Sequence, residues 1–262
     1  MNTILKVLKY QARDAVRSRW LIAYALFFML VTEGLLRFSG DPMKAQLSLV
    51  SVVLFLVPLV SIVFGTVYLY NAREFIELLL AQPVNRRQMY GGLYGGLTLP
   101  LVLAFVVGLG APFLLRGVDE PARGTLAALL LAGAVLTCVF TALATLIAVR
   151  CEDRLRGLGA AIGVWMLLTV VYDGFVLFIL SVFSSQPLER ATLGLMMANP
   201  IDIARIALLL HFDGAAMMGY TGAVFLEFFG EAKGVAITTA ALVLWMSIPI
   251  LLGMRAFQRK DF

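Results

Sequence analysis

The amino-acid sequence predicts an all-α, polytopic membrane protein, and three observations carry that reading. Of the 262 residues, 61% are hydrophobic and 14% charged, with a mean hydropathy of +0.93; a soluble domain carries about a quarter charged residues. The apolar residues gather into six runs, each near the ~20 residues that a bilayer core demands. The basic residues behind the formal net charge of +5 collect at the ends of those runs. That placement sets topology, so no nucleic-acid partner is expected. A second, soluble domain does not fit in this length, and residues 1–262 read as a single transmembrane domain.

Taken in order, residues 2–19 predict an amphipathic helix lying on the membrane. Lys6, Lys9, Arg13 and Arg17 share one face, and Leu5, Leu8, Ala12, Ala15 and Val16 the other, so the helix meets membrane lipid at the interface. The first apolar run has a long polar segment before it and no small-x-small cleavage pattern after it, so it is expected to stay as an anchor. The six spans are predicted at residues 20–38, 47–70, 89–115, 125–149, 158–183 and 235–257. Pro58, Pro100, Pro112 and Pro249 fall inside them and are expected to kink their helices, which packing in a membrane tolerates. Counting Lys and Arg puts fourteen on one side and seven on the other, which predicts an inner-membrane protein with both termini in the cytoplasm.

Between the second and third spans, residues 71–88 read NAREFIELLLAQPVNRRQ. The stretch is too charged for lipid. It predicts a short amphipathic helix whose apolar residues (Phe75, Ile76, Leu78, Leu79, Leu80) lie apart from Arg73, Glu74 and Glu77. Pro83 stops the helix after Gln82, and Asn85, Arg86 and Arg87 form a basic exit. Such a helix suits docking into a groove on a partner. The loop 150–156, RCEDRLR, lies on the same side and reads as a solvated loop or a second, shorter contact.

Residues 184–234 form the one long connection, on the outer side. Asn199-Pro200-Ile201-Asp202 is a helix start, with Asn as the cap, Pro in the first turn and Asp against the dipole. Asp202 and Arg205 can pair along that helix. A second apolar segment, 215–229, follows, and both predict interfacial or re-entrant helices. The expected contact with an outer partner is Asn199, Asp202, Arg205, His211 and Asp213.

Several residues admit two readings. Met196, Met197, Met217, Met218 and His211 have the ligand chemistry of Cu(I), but paired methionines pack apolar surface equally well, so no metal site is assigned. Asp173 is the one acidic residue deep in a span, and a carboxylate there points to a cavity or a partner; its alternative is contact with head groups. Glu33, nearer its helix end, is expected to be solvated. The pairs Gly91/Gly95, Gly92/Gly96 and Gly159/Gly163 have small-xxx-small spacing, which suits close packing within the subunit or, second, a dimer contact. Cys138 and Cys151 sit in settings that argue against a disulfide and lack metal-ligand neighbours. The chain contains no GxxxxGK[ST], HExxH or GxSxG pattern and a single histidine, so no catalytic residue is assigned.

The stretch from Glu74 and Glu77 through Leu78, Leu79, Leu80, Gln82, Pro83, Arg86 and Arg87 resembles the cytoplasmic coupling segment of ABC-2 type permeases, although Phe75-Ile76 stands where that family has Gly-Thr. The leading amphipathic helix and Asn199-Pro200 before the last span extend the resemblance. NPIDIARI followed by GYTGAVF is similar to one branch, the NosY-like membrane subunit of the ABC transporter that matures nitrous oxide reductase. The resemblance implies a homodimeric permease, a separate cytoplasmic ATPase that binds ATP and Mg, and a periplasmic copper-handling partner. Two alternatives stay open, an ABC-2 exporter of a lipid or drug-like substrate and an intramembrane enzyme built on Asp173 and His211.

Overall fold

The boundaries of the helices follow from local chemistry that the sequence displays. Gly40, at φ 63°, closes the first helix in the left-handed region that suits glycine. One residue on, Asp41 accepts from the Met43 amide at 2.9 Å with Pro42 in the first turn, and the second helix begins. Asn85 and Asp153 start later helices in the same way, accepting from Arg87 N at 3.0 Å and Arg156 N at 2.9 Å.

This computed structural model describes residues 18–80, 85–117, 120–182, 194–209 and 219–259. Most of the interfacial helix predicted over 2–19 lies outside them. The described chain runs α1 (Arg19–Ser39), α2 (Pro42–Asn71), α3 (Arg73–Leu80), α4 (Arg86–Arg116) and α5 (Glu120–Arg150). A fifth span follows, made of α6 (Arg154–Met166), a π-helical turn (Leu167–Val171) and α7 (Tyr172–Val182). Then come α8 (Pro200–Leu209) and α9 (Gly219–Arg259). Six helices are long and apolar enough to cross a membrane, at Arg19–Ser39, Pro42–Asn71, Arg86–Arg116, Ala122–Arg150, Arg154–Val182 and Ala236–Arg259. They coincide with the six predicted spans, and no strand occurs among the described residues.

One expectation is corrected here. Residues 219–229 do not form a helix separate from the last span, because α9 continues unbroken from Gly219 to Arg259. Between Phe229 and Val235 the sequence GEAKG holds no proline, and Glu, Ala and Lys are good helix formers that carry the ladder across two glycines. Pro58, Pro100, Pro112 and Pro249 likewise sit inside uninterrupted helices.

Helix α5 is the central pillar, packing against α2, α4, α6, α8 and α9. Its threonines turn inward and spend their hydroxyls locally: Thr137 donates to Gly133 O at 2.8 Å and Thr141 to Thr137 O at 2.7 Å. From α4, Tyr94 reaches Cys138 O at 2.9 Å, while Thr98 and Tyr90 meet Thr141 and Thr145 at 3.0 and 3.2 Å. These bonds let polar side chains join helices where water is absent. Helix α1 is held chiefly by α4. At Gly108 a Cβ would stand 2.5 Å from Ala25 O, so only glycine permits that backbone approach.

The small-residue pairs do not all pack within the subunit. Gly92 and Gly96 are buried, but Gly91, Gly159 and Gly163 have nothing within 4 Å of a Cβ. The last two lie exposed on the fifth span, of which only 11% is buried, against 56% for α4 and α5.

Candidate functional site

Helix α3 is eight residues long, and its faces are chemically distinct. Ile76 is buried, and Leu79 and Leu80 pack with it against a cluster formed by Met89, Tyr90, Leu93 and Phe257. Glu74, Glu77 and Leu78 point away, with Leu78 70% exposed. Residues three and four apart share a helix face, so these three make one continuous outward surface. The predicted docking set is thereby split: Leu78 is available and Leu79 is turned into the protein. Gln82 and Pro83 lie outside the described residues.

Polar contacts clamp this end of the bundle. Arg73 pairs with Glu77 at 3.0 Å and also donates to the carbonyl of Glu152 at 3.0 Å. Tyr70, at the end of α2, donates to Cys151 O at 2.8 Å. Arg86, at the start of α4, reaches Gln258 O near the end of α9 at 3.0 Å, while Arg87 is exposed. The second, third, fifth and sixth spans are thus joined around α3. Gly157 makes the Tyr70 contact possible, since a Cβ there would lie 1.9 Å from the Tyr70 hydroxyl. Sequence reading missed Tyr70 and Gly157. Their only signal was the loop 150–156, and backbone carbonyls as acceptors carry no residue signature.

A second polar constellation lies about 28 Å further along the fifth span, taking nineteen residues from Arg154 at 1.5 Å each. Asn199 caps α8 by accepting from Ile201 N at 3.0 Å. Its amide donates to Leu168 O at 2.8 Å and to Asp202 at 3.1 Å. In an α-helix Leu168 O would accept from Tyr172 N, but in the π-helical turn that amide bonds to Leu167 O. Asn199 therefore fills the altered ladder. Arg205 bridges two carboxylates, Asp202 at 2.9 Å and Asp173 at 3.1 Å. Tyr172 adds a bond to Leu195 O at 2.6 Å.

The expected Asp202–Arg205 pair forms, and Asp173 has an ionic partner from another element. Two of the residues expected to touch an outer partner are placed otherwise. Asn199 is fully buried and Asp202 is 7% exposed, because both are spent holding α8 to the fifth span. Arg205, at 41%, still reaches the surface. Burial pushes the Asp202 carboxyl up to about 6; Arg205 opposes the rise and Asp173 adds to it. Met196 is buried, Met197 is partly buried against the core, and its carbonyl accepts from Trp245 at 3.3 Å. His211, Asp213, Met217 and Met218 lie outside the described residues. Glu33 reaches solvent as expected, and there it pairs with Arg37 at 2.8 Å and with Arg116.

Comparison with known proteins agrees with this architecture. Residues 5–262 match the family described as ABC-2 family transporter protein. The chain is 28% identical to the probable ABC transporter permease protein NosY of Stutzerimonas stutzeri, over 293 aligned residues that cover 99% of each chain. It is also 28% identical to the protein of that name from Pseudomonas aeruginosa strain PAO1, over 282 residues and again 99% of each. An exposed short helix between the second and third of six spans thus meets a family match over nearly the whole length, and the chain belongs to the ABC-2 family, as a multi-pass permease subunit of an ABC transporter.

Proposed function

We propose that this permease couples ATP hydrolysis in a separate cytoplasmic ATPase to reshaping of a periplasmic copper-handling partner during maturation of nitrous oxide reductase. The observation that carries the reading is the outward face of α3, Glu74, Glu77 and Leu78, on a helix that Arg73 ties to the carbonyl of Glu152 and whose inner face packs against α4 and α9. An ATPase gripping that face would move the carbonyls of Cys151 and Glu152 and hence the start of the fifth span. The fifth span is bonded through Asp173 and Leu168 to α8, so the displacement would reach the far end without any group crossing the bilayer. Similarity to permeases named NosY over 99% of the chain supports the nitrous oxide reductase branch. In this reading both termini are cytoplasmic, the membrane is the inner one, and ATP and Mg belong to the ATPase.

The working unit would be a homodimer, six spans being few for a moving core. The open face of the fifth span, with Gly159 and Gly163 exposed on it, supports that arrangement.

The test is recovery of the co-expressed ATPase with Glu77→Lys/Leu78→Asp from detergent. Both side chains are exposed, so helicity should be unchanged while recovery falls at least about tenfold, a loss of about 1.4 kcal/mol. Copper occupancy of nitrous oxide reductase in the same cells should fall with it. Undiminished ATPase recovery would refute α3 as the docking element; lost recovery with normal copper occupancy would refute the maturation role.

A further inference from the structure

Between α1 and α2 runs an apolar groove with a cavity volume of about 850 Å³. Phe28 and Tyr24 lie buried along α1, and Val60, Val63 and Phe64 line the opposite side from α2. Apart from the buried Tyr24 hydroxyl, polar side chains gather at one end, where Ser18, Asn71 and Arg154 line the mouth. Arg154 is exposed there, whereas the neighbouring Asp153 carboxylate is engaged in capping α6. Trp20 and Tyr68 also line the groove near that mouth, the position aromatic side chains take at a membrane–water boundary.

Depth decides what fits. Along α2 the lining extends from Asn71 to Leu56, fifteen residues or about 22 Å, and along α1 from Trp20 to Phe28, eight residues or about 12 Å. One leaflet of a bilayer core is about 15 Å thick, half of the ~30 Å whole. The groove therefore begins at helix ends and stops near the membrane midplane. A helix from a second copy would need a surface along the full thickness, and an interfacial helix would need none at that depth. A cation at the mouth and hydrocarbon below it match an acyl chain with a phosphate above.

We propose that this groove is a binding site for one glycerophospholipid of the adjacent leaflet, its phosphate against Arg154 and an acyl chain between α1 and α2. The site is separate from the α3 docking face and from the Asp173–Arg205 cluster, so it stands independently of the proposed function.

The test uses the full-length chain, purified with its accompanying subunits. Native mass spectrometry would follow retention of dioleoyl phosphatidylglycerol and of dioleoylglycerol, which has the same chains and no phosphate. The phospholipid should be retained at least about fivefold better. Arg154→Gln should lower its retention roughly fivefold (about 1 kcal/mol) without changing dioleoylglycerol. Val63→Trp should lower both, while Leu131→Trp, on the exposed surface of α5, should lower neither. Phosphatidylglycerol carrying a mid-chain diazirine should label residues 20–28 and 56–68 of the unmodified chain, which decides the matter even if Val63→Trp fails to fold. Equal retention of the two lipids, labelling confined to other spans, or a disulfide joining Val63→Cys to a second copy would each overturn the proposal.

Discussion

Arg205 holds two carboxylates from different elements, and that arrangement fixes how the cluster responds to protons. The Asp202 carboxyl is pushed up to about 6 by burial, from an ordinary 3.8, so between those values the folded protein binds more protons than the unfolded one. Its contribution to stability is therefore full below about pH 4 and is lost as pH rises through about 6. Arg205 is the cation that opposes the rise. Arg205→Gln should leave Asp173 and Asp202 facing each other uncompensated, at a cost of about 1–2 kcal/mol near neutral pH, discounted because Arg205 is partly exposed. Protonation relieves that repulsion, so the deficit should shrink at about pH 5. Thermal unfolding in detergent at about pH 7.5 and about pH 5 measures it; an equal deficit at both would show that Asp202 does not change its protonation between them. Asp173 and Arg205 each stand out in the sequence, one as a carboxylate inside a span and the other as a basic residue beside Asp202. No spacing rule joins residues 32 apart on different elements, so their bond became visible only in the fold.

Among the elements, the spans were legible because each is an apolar run near the ~20 residues that a bilayer core demands; the caps Asp41, Asn85 and Asp153, which start three of the helices, were not read as such. What joins one element to another was not. The bond from Tyr70 to Cys151 O uses a backbone acceptor, and the glycine that admits it, Gly157, belongs to none of the small-xxx-small pairs. The direction of Leu79 was equally hidden, since an apolar residue on a short helix can serve an inner cluster or an outer partner. Gly157→Ala tests the clamp directly. A Cβ at 1.9 Å from the tyrosine oxygen and 2.7 Å from its ring cannot be accommodated in place, and overpacking of this kind costs about 1–3 kcal/mol. In a Tyr70→Leu background the obstruction is gone, so the same change should cost less than about 0.5 kcal/mol, the strong coupling expected of touching residues. ATPase recovery should survive Gly157→Ala, because the outward face of α3 is untouched. Additive costs in the double variant would show that Tyr70 and Gly157 do not meet.

For the whole molecule, the distribution of burial separates two kinds of helix. Helices α4 and α5 bury more than half of their apolar stretch, whereas the fifth span presents Leu155, Ile162, Met166, Val170 and Phe178 outward. Lipid can cover such a surface, since acyl chains are as apolar as the side chains, so exposure alone does not call for a protein partner. Glycine supplies the distinction. Gly159 and Gly163 gain no packing inside the subunit, and glycine weakens a helix by about 1 kcal/mol relative to alanine. One turn apart on an open face, they permit the close backbone approach of a second helix. Gly159→Leu/Gly163→Leu should therefore leave the single-chain fold intact, because an added side chain meets nothing within 4 Å. The same pair should block close approach and weaken self-association at least about tenfold, or about 1.4 kcal/mol. Light scattering of the detergent-solubilised permease, corrected for bound detergent, would show the protein mass falling toward that of one 28.6 kDa chain. Gly91→Leu, also open to space but on α4, serves as the control and should leave the mass unchanged. A dimer that persists in the fifth-span variant would move the subunit contact to another face.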